Sequence, residues 1–394
     1  MSLFDKFQRF AAMRDELARY GVMPVGAVTD KVFSATEGVV NGQRVILAGT
    51  NNYLGLTFDP ECVRAAVRAV EEQGTGTTGS RLANGNYSGH LALERELAEF
   101  FGTPSAIVFS TGFLATMGVV STLVGPGDTI LMDADSHASI YEGTRLSGAE
   151  VVRFRHNHPG DLEKRLRRLG ERAANTLIIV EGIYSMLGDR APLQEIAAVK
   201  REHGGYLLID EAHSLGVLGA TGRGLAQEAG VESDVDLVVG TFSKSLGSVG
   251  GFCVSRHPEL DLMRYGIRSY IFTASLSPSV IASTRAALQI LRNRHGLREQ
   301  LWRNVQQLYG ALHQAGFKLG PDPGPVVAVS VESRSQALGW WKTLMDKGVY
   351  VNLVLPPATP AGTCLLRCSL SAAHSKEQVD HIQSAFLSLR DLPS

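Results

Sequence analysis

Seven short apolar runs, separated by stretches of helical character, dominate the middle of the chain: residues 106–109, 129–132, 151–154, 177–180, 206–209, 237–239 and 252–255. Runs apolar at every position, rather than at alternate ones, are buried on both faces. Alternation with helices makes them a mainly parallel sheet with helices on each side, an α/β architecture. Ligands in such sheets bind beyond the carboxyl ends of the strands, so the residues just after each run are the ones to search for chemistry. Beyond Pro278 the pattern changes to a long helical stretch through about residue 316, strand-like segments at 326–331, 350–353 and 363–370, and a closing helix. We read three parts: an N-terminal arm (1–50), a large domain (51–277) and a smaller α+β domain (278–394).

The arm contains a helix over residues 2–20 and a hairpin over 39–47, with Asn41-Gly42 as its turn. Phe4, Phe7 and Phe10 share one helical face, which is expected to dock on the body of the protein, with peripheral membrane contact as the alternative. No run of about 18 apolar residues offers a membrane span. The 394 residues, 44% of them hydrophobic, provide for a large core, and 38 basic against 39 acidic side chains leave no field to attract nucleic acid. Cys62, Cys253, Cys364 and Cys368 lie mostly in apolar runs without CxxC or His-rich spacing, so reduced, buried thiols and a cytoplasmic location are expected, with no metal site.

Lys244 follows the run 237–239 within Gly240-Thr241-Phe242-Ser243-Lys244-Ser245-Leu246-Gly247. A lysine placed there is open to partial desolvation, which would let its amine hold a carbonyl cofactor as a Schiff base. Asp210 ends the run 206–209, one strand–helix–strand step earlier, and a carboxylate there can pair with a pyridine nitrogen. Together they point to pyridoxal phosphate. His213 lies three residues beyond Asp210, within reach of a ring oxygen, and His137 follows the run 129–132, where an imidazole can stack on the ring. Ser110-Thr111-Gly112-Phe113 opens a helix after the run 106–109, a seat for phosphate on free backbone amides. Gly74-Thr75-Gly76-Thr77-Thr78-Gly79 fits the spacing of a dinucleotide fingerprint, but a helical stretch precedes it and a loop follows, so a loop lining the site is the better reading.

In this order, Asn52-Tyr53-Leu54-Gly55, GTGTTGSR, STGF, DADSHASIYEG, EGIYSMLGD, IDEAHSLGVLG, GTFSKSLGSVGGF and LLRCS resemble the α-oxoamine synthases from about residue 38 to 385. These are pyridoxal-phosphate enzymes of aminotransferase type I fold that join an amino acid to an acyl thioester with loss of CO2. HASIYEG, EGIYSMLGD and Tyr270-Ile271-Phe272-Thr273-Ala274-Ser275 are most similar to the soluble, homodimeric bacterial serine palmitoyltransferases. The resemblance implies Lys244 as the Schiff-base lysine, Asp210 and His213 as partners of the ring nitrogen and oxygen, and His137 as the stacking imidazole. It further implies Gly112, Phe113, Ser185, Thr241 and Ser243 as cofactor contacts, Thr273 and Ala274 as contacts to the other subunit's cofactor, and Asn52, Ser80 and Arg367 as substrate contacts. Serine and palmitoyl-CoA are the implied substrates, with a homodimer whose sites lie at the subunit interface. There is one departure: Leu355 stands where those enzymes carry an arginine before the Pro-Pro-Ala-Thr-Pro loop. Glycine or alanine, or another acyl-CoA or carrier-protein thioester, therefore remain alternatives.

Overall fold

The computed structural model describes residues 2–19, 27–356, 359 and 362–392. All seven runs join one sheet, in the order Ser105–Phe109, Gly251–Ser255, Leu237–Thr241, Tyr206–Asp210, Thr176–Glu181, Thr129–Asp133 and Glu150–Phe154. Gly251–Ser255 runs antiparallel to both of its neighbours, and every other adjacent pair is parallel. The reason is local: residues 242–250 form no helix, and a parallel return needs a crossover of a dozen or more residues. Alternate residues of the central strands feed two separate cores. Ile130, Ile179 and Leu208 pack on one face, and Leu131, Ile178 and Leu207 on the other. This two-sided burial is why the strands read as continuous apolar runs.

Glu37–Val40 and Gln43–Leu47 form the expected hairpin. Asn41 and Gly42 have φ of 51° and 77°, the left-handed pair that a type I′ turn requires. The hairpin does not stand alone: Thr29–Val32 extends one edge, and Val349–Tyr350, from near the other end of the chain, pairs parallel with its second strand. The 350–353 segment thus divides, because Asn352–Val354 joins a different, antiparallel sheet beside Cys364–Ser369 and Val326–Val331. The helical stretch beyond Pro278 is likewise two helices, Pro278–Asn293 and Gly296–Gln314.

Near the N-terminus a helix spans Gln8–Arg19 after a single turn at Asp5–Phe7, and Tyr20 lies outside the described residues. Phe4, Phe7 and Phe10 are 77%, 50% and 47% exposed, so among the described residues this face is not buried against the body of the protein as expected. Among the described residues no helix is long and apolar enough to cross a membrane, and the four cysteines are free and buried.

Candidate active site

A cavity of about 290 Å³ opens beyond the carboxyl ends of the central strands, lined by Gly112, Phe113, Thr116, His137, Glu181, Asp210, His213, Thr241, Ser243 and Lys244 among others. Strand register brings these residues together: Glu181 pairs with Asp210 and Asp210 with Val239, so the strand ends are level. At one end of the cavity the helix Gly112–Leu123 begins, capped by Thr111, whose hydroxyl accepts the Leu114 N–H at 3.1 Å. Gly112 is required there. A Cβ on it would lie 2.7 Å from that of Thr241, whose hydroxyl lies 2.8 Å from the Ser243 hydroxyl. Unspent helix-start amides beside two hydroxyls make an anion seat.

Lys244 reaches the cavity from the next loop, and its amine has no hydrogen bond or ion pair among the described residues. Desolvation draws its pKa down to about 8, against the pull of Asp210 and Glu181 and with the help of Arg367. Asp210 is buried. One of its oxygens accepts the Ala212 N–H at 2.9 Å and the other the Thr116 hydroxyl at 3.2 Å. Desolvation first, then the Lys244 and Arg367 charges, hold His213 well below the usual imidazole range, so it is neutral at neutral pH. Its Nδ1 lies 2.7 Å from the Tyr53 hydroxyl. Burial pushes that phenol up to about 12 in spite of Arg367 nearby, so it remains protonated.

His137 caps the helix Ala138–Ser147, and its ring Nδ1 accepts the Ser139 N–H at 3.2 Å. That bond fixes the tautomer: the proton of the neutral ring sits on Nε2. Desolvation lowers the pKa of His137 and keeps the ring neutral. From the main-chain side, Glu181 accepts the His137 N–H at 2.5 Å, and burial together with the Asp210 charge pushes the Glu181 carboxyl well above its usual range. Arg367, on the central strand of the small antiparallel sheet, donates Nε–H to the Ser185 carbonyl at 2.7 Å and both terminal nitrogens to the Asn51 side-chain oxygen at 3.2 Å.

Of the residues expected from the sequence, Gly112, Phe113, His137, Asp210, His213, Thr241, Ser243 and Lys244 line this one cavity. Ser185 and Arg367 meet each other beside it. Asn52 is not among the residues lining the cavity: it is buried, donates to the Thr57 hydroxyl at 2.7 Å and has no hydrogen-bond partner for its own side-chain oxygen among the described residues. Ser80 lies in a turn, its carbonyl accepting from Ala83 and Gly85. Thr273 lines a separate crevice with Arg81 and Tyr270, and the Ala274 carbonyl accepts the Ser110 hydroxyl at 2.5 Å. Leu355 packs against the main core. Of the loop after it, Pro357, Ala358, Pro360 and Ala361 lie outside the described residues. Glu181, Tyr53, Asn51 and Thr116 are additions that the sequence reading did not single out, although the motifs EGIYSMLGD and Asn52-Tyr53-Leu54-Gly55 contain two of them.

The family model described as aminotransferase class I and II matches residues 43–386. A serine palmitoyltransferase of Caulobacter vibrioides is 57% identical over 386 residues, covering 98% of this chain and 96% of that protein. The structure of a Sphingomonas wittichii serine palmitoyltransferase superposes with a TM-score of 0.95 at 51% identity, covering all of both chains (100% each). A serine palmitoyltransferase from S. paucimobilis with a bound PLP–myriocin aldimine gives a TM-score of 0.97 at 47% identity over 99% of each chain.

Proposed function

This chain belongs to the class I and II aminotransferase family, and we propose that within it the protein condenses L-serine with palmitoyl-CoA, as a pyridoxal-phosphate-dependent acyltransferase. The observation that carries this reading is the convergence of Lys244, Asp210, His137 and His213 on one cavity beside an anion seat. The residues fit the cofactor. Lys244 offers a desolvated amine to its aldehyde, Asp210 a buried carboxylate to its pyridine nitrogen, and His213, Gly112, Phe113, Thr241 and Ser243 offer donors to its ring oxygen and phosphate. When bound, pyridoxal phosphate supplies an electron sink for the pair left at the amino acid's Cα.

The rest is done by the chain. The Lys244 Nζ, with a pKa near 8, is placed to take the Cα proton and return it. Neutral His137 presents its Nε2–H as a donor to the substrate carboxylate without carrying a charge. Arg367 offers a planar fork to the same carboxylate, held in place by Ser185 and Asn51. Overall, the serine Cα bonds to the acyl carbon, CoA leaves as the thiol, and the carboxyl group departs as CO2, giving 3-ketodihydrosphingosine. This is the first step of sphingolipid synthesis, carried out in the cytoplasm.

We read the working form as a homodimer. Thr273 and Ala274 lie outside their own cavity, and neighbouring Phe272 is 73% exposed, as a contact to a second subunit's cofactor would need.

Leu355 favours a second reading in which the same chemistry uses glycine or alanine, or another thioester donor. The test is mass spectrometry of products from the purified enzyme given serine, glycine and alanine in competition, with acyl-CoAs of several chain lengths and an acyl-carrier protein. A dominant product built from serine and a long acyl chain supports the first reading, and a product built from another amino acid replaces it.

The Lys244 pKa gives a second expectation. Capture of pyridoxal phosphate by the apoprotein requires the neutral amine, so its rate rises as pH increases through about 8 and then levels off. Stopped-flow absorbance across the pH range measures this, and a rate flat from pH 6 to 10 would contradict the assignment.

A further inference from the structure

Outside the cavity, His156 stands between two buried carboxylates. Its Nδ1 lies 2.8 Å from Asp133 Oδ1 and its Nε2 2.6 Å from Asp189 Oδ2, with Asp135 3.9 Å away. Both ring nitrogens face acceptors, so the ring carries both protons and a positive charge. Desolvation opposes that charge, but the hydrogen bonds that the ring donates to the Asp133 and Asp189 carboxylates outweigh it and raise the pKa to about 10. The Tyr184 ring packs edge-on at 4.5 Å. Asn157, in the left-handed region at φ 50°, adds a backbone N–H to Asp133 at 2.9 Å and a side-chain N–H to Asp189 at 2.8 Å.

The cluster joins two walls of the site. Asp133 ends the strand that leads into His137, and its Oδ1 also accepts the Asp135 N–H at 2.9 Å. Asp189 closes the turn that carries Ser185: its carbonyl accepts the Tyr184 N–H at 2.9 Å, and the Ser185 carbonyl holds Arg367. His156 itself follows the edge strand Glu150–Phe154, so three adjacent strand ends are tied at one point. The site described above makes no use of this cluster, which meets the cavity wall through Tyr184, whose hydroxyl accepts the Glu181 N–H at 3.5 Å.

We propose that His156 is a positioning residue, an imidazolium that fixes the His137 wall against the Ser185–Arg367 wall and so sets the affinity for the amino acid. The proposal rests on the reading of His137 and Arg367 as carboxylate partners. Removing the ring's charge leaves two carboxylates facing each other in a buried place, and the cheapest relief is for the two loops to separate.

The test is His156→Gln, with two measurements. In the apoprotein, hydrogen–deuterium exchange is expected to rise in residues 134–142 and 183–190 and to stay unchanged in Cys364–Ser369. In the holoenzyme, spectral titration with serine is expected to show binding weakened about ten-fold, as small misplacements of positioning groups produce. Should the single variant not fold, His156→Gln combined with Asp189→Asn, which removes the imidazolium and one carboxylate together, carries the same measurements. Unchanged serine binding overturns the proposal, as does exchange raised uniformly, which marks a merely structural role. If instead the wild-type holoenzyme gives no spectral response to any amino acid while the exchange pattern appears, the substrate reading fails and the clamp stands.

Discussion

Lys244→Ala is expected to give a protein that shows no visible absorbance band on mixing with pyridoxal phosphate and that turns over about 10³-fold more slowly or worse. The size of the loss follows from geometry. Among the described residues the Lys244 amine is the only lysine amine in the cavity, so nothing else there can both form the covalent link and move the Cα proton. The fold should be indifferent, because the amine makes no hydrogen bond or ion pair among the described residues. Removing it even takes a cation away from His213, whose pKa Lys244 helps to depress. A thermal unfolding midpoint near that of the wild type, combined with lost absorbance and turnover, is therefore the signature sought. Undiminished turnover in this variant would falsify the assignment of Lys244.

Asp210→Asn is expected to cost about two to three orders of magnitude in turnover while leaving covalent capture of the cofactor by Lys244 intact. The substitution keeps shape and one acceptor, so the Ala212 N–H and Thr116 hydroxyl can still be satisfied in part. What it removes is a buried negative charge at the pyridine nitrogen, and with it the pull on electrons from Cα. The measurement is the rate of serine Cα–H exchange with deuterated solvent, read by NMR, which isolates proton removal from the acyl-transfer steps. Exchange as fast as in the wild type would mean that Asp210 is a structural carboxylate held for the sake of Thr116. Because Asp210 is one of the charges that raise Glu181 and Lys244, its loss should also lower the amine pKa and move the pH profile of cofactor capture downward.

The residues of the site divide by how they are specified. Lys244, Asp210 and His137 were legible because each lies at or within a few residues of the end of an apolar strand, and the rule that sites lie beyond strand ends needs no knowledge of which strands are neighbours. Glu181 obeys the same rule, yet a glutamate ending a buried strand carries no signal until the sheet order sets it beside Asp210. Tyr53, Asn51 and the Arg367–Ser185 contact depend on the small antiparallel sheet folding back over the large one, a long-range pairing that no local pattern records. Asn51 and Asn52 are adjacent and identical in type, and only the path of the backbone decides that the first meets Arg367 while the second turns to Thr57. The seven strands were readable because two helical layers demand apolar side chains at every position. The split of 350–353 between two sheets was not, since a two-residue strand has no period to detect.

The parallel pairing of Val349–Tyr350 with Gln43–Leu47 bears on how the chain is made. A ribosome releases the hairpin early and its partner strand near the end, so for most of synthesis one edge of the hairpin is open to the N–H and C=O groups of other nascent chains. Closure of that sheet is consequently a late event, and trimming the C-terminal segment would return the edge to solvent. Chains shortened from the C-terminal side are for this reason expected to aggregate through their N-terminal residues, far in sequence from the cut.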